Sequence, residues 1–358
     1  MGGGSSVFTL VVAVDPSLAN GTVLSNTVTL SSTTNDPNSG NNSATATTTV
    51  TNICSEIGTL TASLNPVCVS STTTLTASNL ANMNIRGGYG IIFKYFNAPT
   101  STPYEGGTAI TTIANGSLSN GGTQPETSTS FAMFGTYYIY AILSPTPANV
   151  NCRPFATTTL TVLPVHTINL SSLAATEAQT ICVNSPITPI TYVLGGGATG
   201  ATVTGLPTGV TSSVNSGVLT ISGTPTVTVG SPFNYNITTT GNNCTVATES
   251  GTITVNTLPM VSITGLSAAY CKNASAVTLT GSPAGGSFTI DNVSATSFNP
   301  ATLSVGSHSV VYSYTDGNTC TNTATQSVTV NALPMVSITG LSAAYCKNAS
   351  AVTLTGSP

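Results

Sequence analysis

The stretch LPMVSITGLSAAYCKNASAVTLTGSP, residues 258–283, recurs letter for letter as residues 333–358, 75 residues later. A verbatim internal repeat marks a tandem array, in which one small folding unit is copied end to end. The first copy runs on through Cys320 to Val330, whereas the second stops at Pro358, so the chain reads as a segment of something longer or as a subunit completed by a neighbour. Inside the complete copy, apolar residues alternate: Val277 with Leu279, Phe288 with Ile290, Val310 with Tyr312 and Tyr314, and Val328 with Val330. A period of two is the spacing of a strand with one buried face. Gly281-Ser-Pro-Ala-Gly-Gly286, Asn299-Pro300, Gly306 and Asp316-Gly-Asn318 punctuate these runs with turn-forming residues. Short strands at this spacing, with no helix-period segment among them, predict an all-β chain of sandwiches.

A shared phrase punctuates the rest of the chain. Leu160-Thr-Val-Leu-Pro164, Ile253-Thr-Val-Asn-Thr-Leu-Pro259 and Val328-Thr-Val-Asn-Ala-Leu-Pro334 each end an alternating run on Leu-Pro, and a new run follows at once. Proline fixes φ and removes a donor, so it closes one strand and opens the next without a loose spacer. Joints this short predict an elongated, semi-rigid rod. The units expected are 1–52, 53–164, 165–257, 258–332 and 333–358, the first and last too short to bury a core alone.

Composition narrows the function classes. Only 4% of residues are charged and the net charge is -4, with no Lys/Arg cluster. That removes the electrostatic footprint of a nucleic-acid binder. No apolar run approaches the roughly 18 residues of a membrane span. Met1-Gly-Gly-Gly-Ser-Ser6 lacks the positive n-region of a signal peptide, and Val7 to Val14 alternates like a strand. Eight cysteines in a Thr-, Gly- and Asn-rich β chain point to an oxidising, extracellular setting.

The cysteines follow the same frame. Cys68, Cys182, Cys271 and Cys346 each open a unit, and Cys152, Cys244 and Cys320 each precede a final strand. One bridge per unit would pair Cys68 with Cys152, Cys182 with Cys244 and Cys271 with Cys320, although sequence alone does not establish connectivity. Closing the 271–320 loop would stabilise its unit by about 4 kcal/mol in the chain-entropy picture. Cys346 is left without a partner. Cys54 has several fates open: a bridge to Cys68 or Cys152, a free thiol, or a bond to a neighbouring chain.

Tyr270-Cys-Lys-Asn-Ala-Ser-Ala-Val-Thr-Leu-Thr-Gly-Ser-Pro283, with the later Gly306-Ser-His-Ser-Val-Val-Tyr-Ser-Tyr-Thr-Asp316, resembles the Ig-like or PKD-like repeats of giant Bacteroidetes surface proteins. These include gliding-motility adhesins exported by the type IX system. Gly205-Leu-Pro-Thr-Gly-Val210 with Gly217-Val-Leu-Thr-Ile-Ser-Gly-Thr-Pro225 is similar to an Ig module of bacterial adhesins. Residues 8–50 are similar to the C-terminal half of another surface-repeat domain. The resemblance implies Ig-like folds, surface display and stalk-building, and it brings no catalytic residues.

Sites of chemistry are sparse. No Ser or Cys nucleophile is patterned beside His166 or His308, and His308 falls in register with Val310 and Tyr312 on a strand face. Gly195-Gly-Gly-Ala-Thr-Gly200 spells GxGxxG, but a strand-like Ala201-Thr-Val-Thr follows where a phosphate site needs a helix, so it reads as a flexible turn. Asp36, Asn38 and Asp316 are candidate structural calcium ligands, although Asp-Pro and Asp-Gly are also common turn formers. No other cofactor is implied. Tyr89, Tyr95 and Tyr104 are candidates for a glycan-binding patch; the competing reading makes the aromatics core, with Tyr138 and Tyr140 facing inward.

The expected function is therefore a non-enzymatic stalk or filament segment of a bacterial cell-surface adhesin. Its partners would be neighbouring repeats or subunits of the same fibre. Two further readings are a filament subunit completed by strand exchange between its terminal half-units, and a glycan-binding module.

Overall fold

The computed structural model describes residues 7–15, 17–51, 54–83, 89–113, 122–127, 130–147 and 150–357. The expected boundary at 52/53 and the Met1–Ser6 leader fall outside these residues. Among the described residues the regular structure is strand, with three one-turn 3-10 segments and no α-helix. Two compact units form, one of Met1–Thr167, Gly195–Thr199 and Thr240–Val246, the other of Ile168–Leu194, Gly200–Thr239 and Ala247–Pro358.

An exposed antiparallel pair, β1 (Val23–Thr29) and β2 (Ser43–Thr49), comes first. The alternating segment from Val7 to Val14 forms no strand, because no described strand lies beside it to complete a ladder, and Val7 and Phe8 are exposed. The first sandwich contains β3 (Thr59–Ala62), β4 (Val67–Cys68), β5 (Thr74–Ser78), β6 (Gly90–Phe96), β7 (Thr108–Ile113), β8 (Gln124–Thr127), β9 (Gly135–Ser144) and β10 (Phe155–Leu163). Its sheets have the orders β4-β10-β9-β6-β7 and β3-β5-β8. Leu60, Leu75, Phe93, Ile139, Leu143 and Leu160 are among the residues of its core. The inward register of β9 is Tyr137, Ile139, Ala141 and Leu143, one residue out of step with the expected Tyr138 and Tyr140. Tyr140 is nevertheless buried, on the opposite face, where Phe96 and Phe155 pack against its ring and the Thr100 amide donates to its hydroxyl at 2.8 Å.

The second sandwich contains β11 (His166–Leu170), β12 (Ala178–Cys182), β13 (Ile190–Gly196), β14 (Ala198–Thr204), β15 (Val210–Asn215), β16 (Val218–Gly223), β17 (Phe233–Gly241) and β18 (Thr248–Asn256). Its sheets run β11-β13-β16-β15 and β12-β18-β17-β14. The third contains β19 (Ser262–Thr264), β20 (Ala269–Cys271), β21 (Val277–Thr278), β22 (Thr280–Ser282), β23 (Ser287–Ile290), β24 (Val293–Ala295), β25 (Ser297–Phe298), β26 (Gly306–Thr315) and β27 (Thr321–Asn331). Its main sheet is β20-β27-β26-β23-β24, faced by the short pairs β19-β22 and β21-β25. Phe288, Ile290, Phe298, Val310, Tyr312, Val328 and Val330 close its core, in the register the alternation predicts. Tandem Ig-like sandwiches are thus the fold.

One device recurs three times. A short strand near the start of each sandwich pairs in parallel with that sandwich's last strand: β4 with β10, β12 with β18, β20 with β27. Every other described pairing within the sandwiches is antiparallel.

The verbatim repeat shows what local sequence can do alone. β28 (Ser337–Thr339) and β29 (Thr355–Ser357) pair as β19 and β22 do, Ser337 opposite Ser357 as Ser262 is opposite Ser282. The Tyr345 hydroxyl accepts the Ser342 amide at 2.9 Å, as Tyr270 accepts Ser267. Yet residues 344–346 form no strand where 269–271 do, because no last strand lies beside them. Leu354 is 50% exposed, whereas its twin Leu279, covered by the main sheet, is 7% exposed.

Glycine and tyrosine are matched in these cores. A Cβ on Gly281 would lie 2.3 Å from Tyr312 Cε1, and one on Gly286 would lie 2.6 Å from its hydroxyl. The Tyr312 hydroxyl accepts the Gly286 amide at 2.8 Å and donates to the Pro283 carbonyl. Gly281→Ala should destabilise the third sandwich by about 2 kcal/mol through overpacking. Urea unfolding checks this, and the double variant Gly281→Ala, Tyr312→Leu should recover part of the loss.

Candidate functional site

The feature with functional content is the bridged joint between successive sandwiches, which is built from backbone upward. Cys68, Cys182 and Cys271 are each the last residue of the parallel strand, opposite Leu163, Asn256 and Asn331 respectively. The following amide donates to the carbonyl of that same partner in all three: Val69 to Leu163, Val183 to Asn256 and Lys272 to Asn331, each at 2.9 Å. The chain then turns back, with Ser71, Ser185 and Ala274 donating to the cysteine carbonyls. Cys152, Cys244 and Cys320 instead lie in the loop just before the last strand of their sandwiches, ahead of Phe155, Thr248 and Thr321.

Parallel pairing puts these two kinds of cysteine at opposite ends. Cys271 sits beside Asn331, the end of an 11-residue strand whose start, Thr321, follows Cys320. At about 3.3 Å per residue the two are roughly 30 Å apart, whereas a disulfide needs Cα atoms within about 7 Å. The expected bridges 68–152, 182–244 and 271–320 are therefore not formed. The bonds are Cys54–Cys152, Cys68–Cys244 and Cys182–Cys320. The last two carry the end of one sandwich's parallel strand to the loop before the last strand of the next, with Cα atoms 5.6 Å apart in both. Cys271 and Cys346 are free and exposed. Cys54 takes one of its open options.

Around Cys244 the Leu-Pro phrase, the glycine run and His166 converge. Asn242 Nδ2 donates to the Pro164 carbonyl at 2.9 Å, and Asn242 Oδ1 accepts the Cys244 amide at 2.9 Å. The His166 amide donates to the Thr245 carbonyl at 3.0 Å, and His166 Nε2 is 3.2 Å from both Asn242 oxygens. Gly197 donates to Val165 at 3.0 Å, and Asn242 donates to Gly197 at 3.1 Å. A Cβ on Gly196 would fall 1.9 Å from the Val165 carbonyl, so the glycine run expected to be flexible is a packed corner. The Cys182–Cys320 joint repeats the device: Asn322 Nδ2 donates to the Pro259 carbonyl at 2.9 Å.

The other expected sites resolve into turns and core. Asp316 Oδ1 accepts the Asn318 and Cys320 amides, both at 2.9 Å, and so shapes the loop that presents Cys320. Asp36 Oδ1 accepts the Asn38 amide at 2.9 Å. Among the described residues no three His, Cys, Asp or Glu side chains gather as metal ligands. Tyr89, Tyr95 and Tyr104 are half-buried against the first core. Tyr104 donates to the Pro154 carbonyl at 2.7 Å and accepts the Leu143 amide at 3.2 Å, and burial pushes its pKa up to about 12. Its polar end is thus engaged within the fold.

No protein-family description matches the chain, and no curated protein matches it. Solved structures do resemble it. A complex of Dpr2 Ig1–Ig2 with DIP-Theta Ig1–Ig3 aligns over 78% of this chain and 100% of its own at 12% identity, TM-score 0.35. The ICAM-5 D1–D4 ectodomain aligns over 81% of this chain and 80% of its own at 14% identity, TM-score 0.36. A Ca2+-stabilised adhesin that helps an Antarctic bacterium reach out and bind ice aligns over 87% and 82% at 15% identity, TM-score 0.32.

The titratable group missed by the sequence is the buried pair at the Cys271 end of the third sandwich. His308 Nδ1 lies 2.6 Å from Asp291 Oδ2, and Nε2 lies 2.8 Å from the Ser304 carbonyl. The Asp291 carboxylate, then the Ser304 carbonyl, raise the His308 pKa; the same hydrogen bond holds the Asp291 pKa below its ordinary value. A raised histidine contributes stability that is present below its unfolded value of about 6.5 and is lost as pH rises through the folded value. The lowered carboxylate contributes stability present above its ordinary value and lost as pH falls through the folded one. Asp291→Asn should return the His308 NMR titration toward its ordinary midpoint. It should also weaken the third sandwich below pH 6.5 while leaving it nearly unchanged at pH 9.

Proposed function

We propose that this chain is a non-enzymatic, extracellular stalk segment, a series of Ig-like modules divided at 52/53, 164/165, 257/258 and 332/333 and tied in series by disulfides. The observation that carries the reading is the pair of bonds Cys68–Cys244 and Cys182–Cys320, which join neighbouring sandwiches instead of closing each one. A bridge inside a module stabilises that module; a bridge between modules makes the joint as strong as a covalent bond. Three disulfides imply an oxidising compartment, and no described helix is long and apolar enough to cross a membrane. The repeat's resemblance to Bacteroidetes surface proteins supports a bacterial adhesin of the gliding-motility, type IX-exported kind, with adhesive contacts made by other parts of the fibre.

The bonds give the segment a short tension path. Between Cys54 and Cys320 the shortest covalent route crosses to Cys152, follows the chain to Cys182 and crosses to Cys320. That route contains ~30 residues, about 100 Å when extended, against about 900 Å for the full contour. Single-molecule pulling from the two termini tests this. The oxidised segment between Cys54 and Cys320 should release about 100 Å and the reduced one about 900 Å. Bridges closed inside each sandwich would instead release about 240 Å when oxidised, and that length would overturn the stalk mechanism.

A further inference from the structure

The parallel strand of the third sandwich ends on a thiol held in the same backbone frame as two thiols that are bridged. Cys271 faces its last strand as Cys68 and Cys182 face theirs, with the same amide-to-carbonyl bond after it and the same turn beyond it. Those two cysteines each bond the loop cysteine of the sandwich that follows; Cys271 is exposed and unbonded. Directly after β27 the repeat restarts at Leu333-Pro334, the phrase that precedes both bridged joints as Leu163-Pro164 and Leu258-Pro259. In those joints the proline carbonyl accepts an Asn side chain from the loop that holds the bridging cysteine, Asn242 for Pro164 and Asn322 for Pro259.

We propose that the end of the third sandwich around Cys271 is the docking face for a complete copy of the 258–332 module placed at Leu333. Cys271 bonds that copy's counterpart of Cys320, and Pro334 accepts that copy's counterpart of Asn322. The step joins two thiols as one disulfide, releasing two protons and two electrons to a thiol oxidant such as oxidised glutathione. Cys346, the counterpart of Cys271 in the new copy, stays free for the module after it. The rule is directional: each module bonds forward from its parallel strand and backward from its loop. Cys152 already uses its loop thiol backward, toward Cys54. This pairing rule does not depend on whether the segment bears load, so it and the stalk reading fail separately.

The test completes the second copy. Residues 333–358 equal 258–283, so appending a duplicate of residues 284–332 after Pro358 restores a whole module. The extended chain is refolded with a glutathione couple and mapped by non-reducing peptide mass spectrometry. The expected map links the Cys271 peptide to the appended loop cysteine, keeps Cys182–Cys320, and leaves Cys346 as the only alkylated thiol. Replacing the appended cysteine with serine should leave both Cys271 and Cys346 alkylated. A bond between the appended cysteine and Cys346, or an alkylated Cys271 in a chain that retains Cys182–Cys320, overturns the proposal. The unextended chain provides a check that needs no new module: Cys271 and Cys346 should both react with iodoacetamide under native conditions, and a Cys271–Cys320 bond there would equally overturn it.

Discussion

The constraint on which this structure depends is the parallel pairing of a two- to five-residue strand with the last strand of its sandwich. Parallel neighbours end at the same side, so a cysteine closing the short strand is carried to the far end from the loop that precedes the last strand. With β27 11 residues long, no rotamer change can bring Cys271 to Cys320. Each sandwich therefore shows one thiol at each end. Thiols so placed meet only across a joint, and a series of identical modules becomes a covalent ladder without any special linking sequence.

Short joints make the ladder feasible. The Leu-Pro phrase leaves few residues between the last strand of one sandwich and the first of the next, and the Asn side chains of the following loop bind the proline carbonyl directly. Proline cannot donate, so its carbonyl is the group left to anchor the crossing. Glycines 196 and 197 let the β13–β14 corner close against that crossing, where any side chain would collide with Val165 or Asn242. In the chain-entropy picture a bridge spanning more than 100 residues contributes about 5 kcal/mol, though the overlapping loops 54–152, 68–244 and 182–320 share much of that entropy. In a chain with 4% charged residues, covalent bonds and buried hydrogen bonds take the place that ion pairs hold elsewhere.

Much of this was legible in the sequence, because it rests on local pattern. Alternation identified Phe288, Ile290, Val310, Tyr312, Val328 and Val330 as core, and the Leu-Pro phrases fall at the ends of β10, β18 and β27. The verbatim repeat explains the limit of such reading: residues 337–339 and 355–357 reproduce a local pair, while residues 344–346 need a partner strand to become one. Cysteine pairing is of the second kind. Reading Cys271 and Cys320 as partners assumed that two residues flanking one module lie close together, and strand direction decides that question. A signal was present in the Cys-x-Asn or Cys-x-x-Ser turn that follows each first cysteine, but its meaning depends on pairing that no local period encodes. The Tyr137–Ile142 register failed for a related reason: β9 is covered on both faces, so alternation could not choose which face is the core.

The central claim is that the disulfides join modules instead of closing them. Non-reducing proteolysis and peptide mass mapping of the oxidised chain, with thiols blocked at low pH before digestion, tests this most directly. The account predicts cross-linked peptides joining Cys68 to Cys244 and Cys182 to Cys320. Peptides joining Cys68 to Cys152 and Cys182 to Cys244 would contradict it.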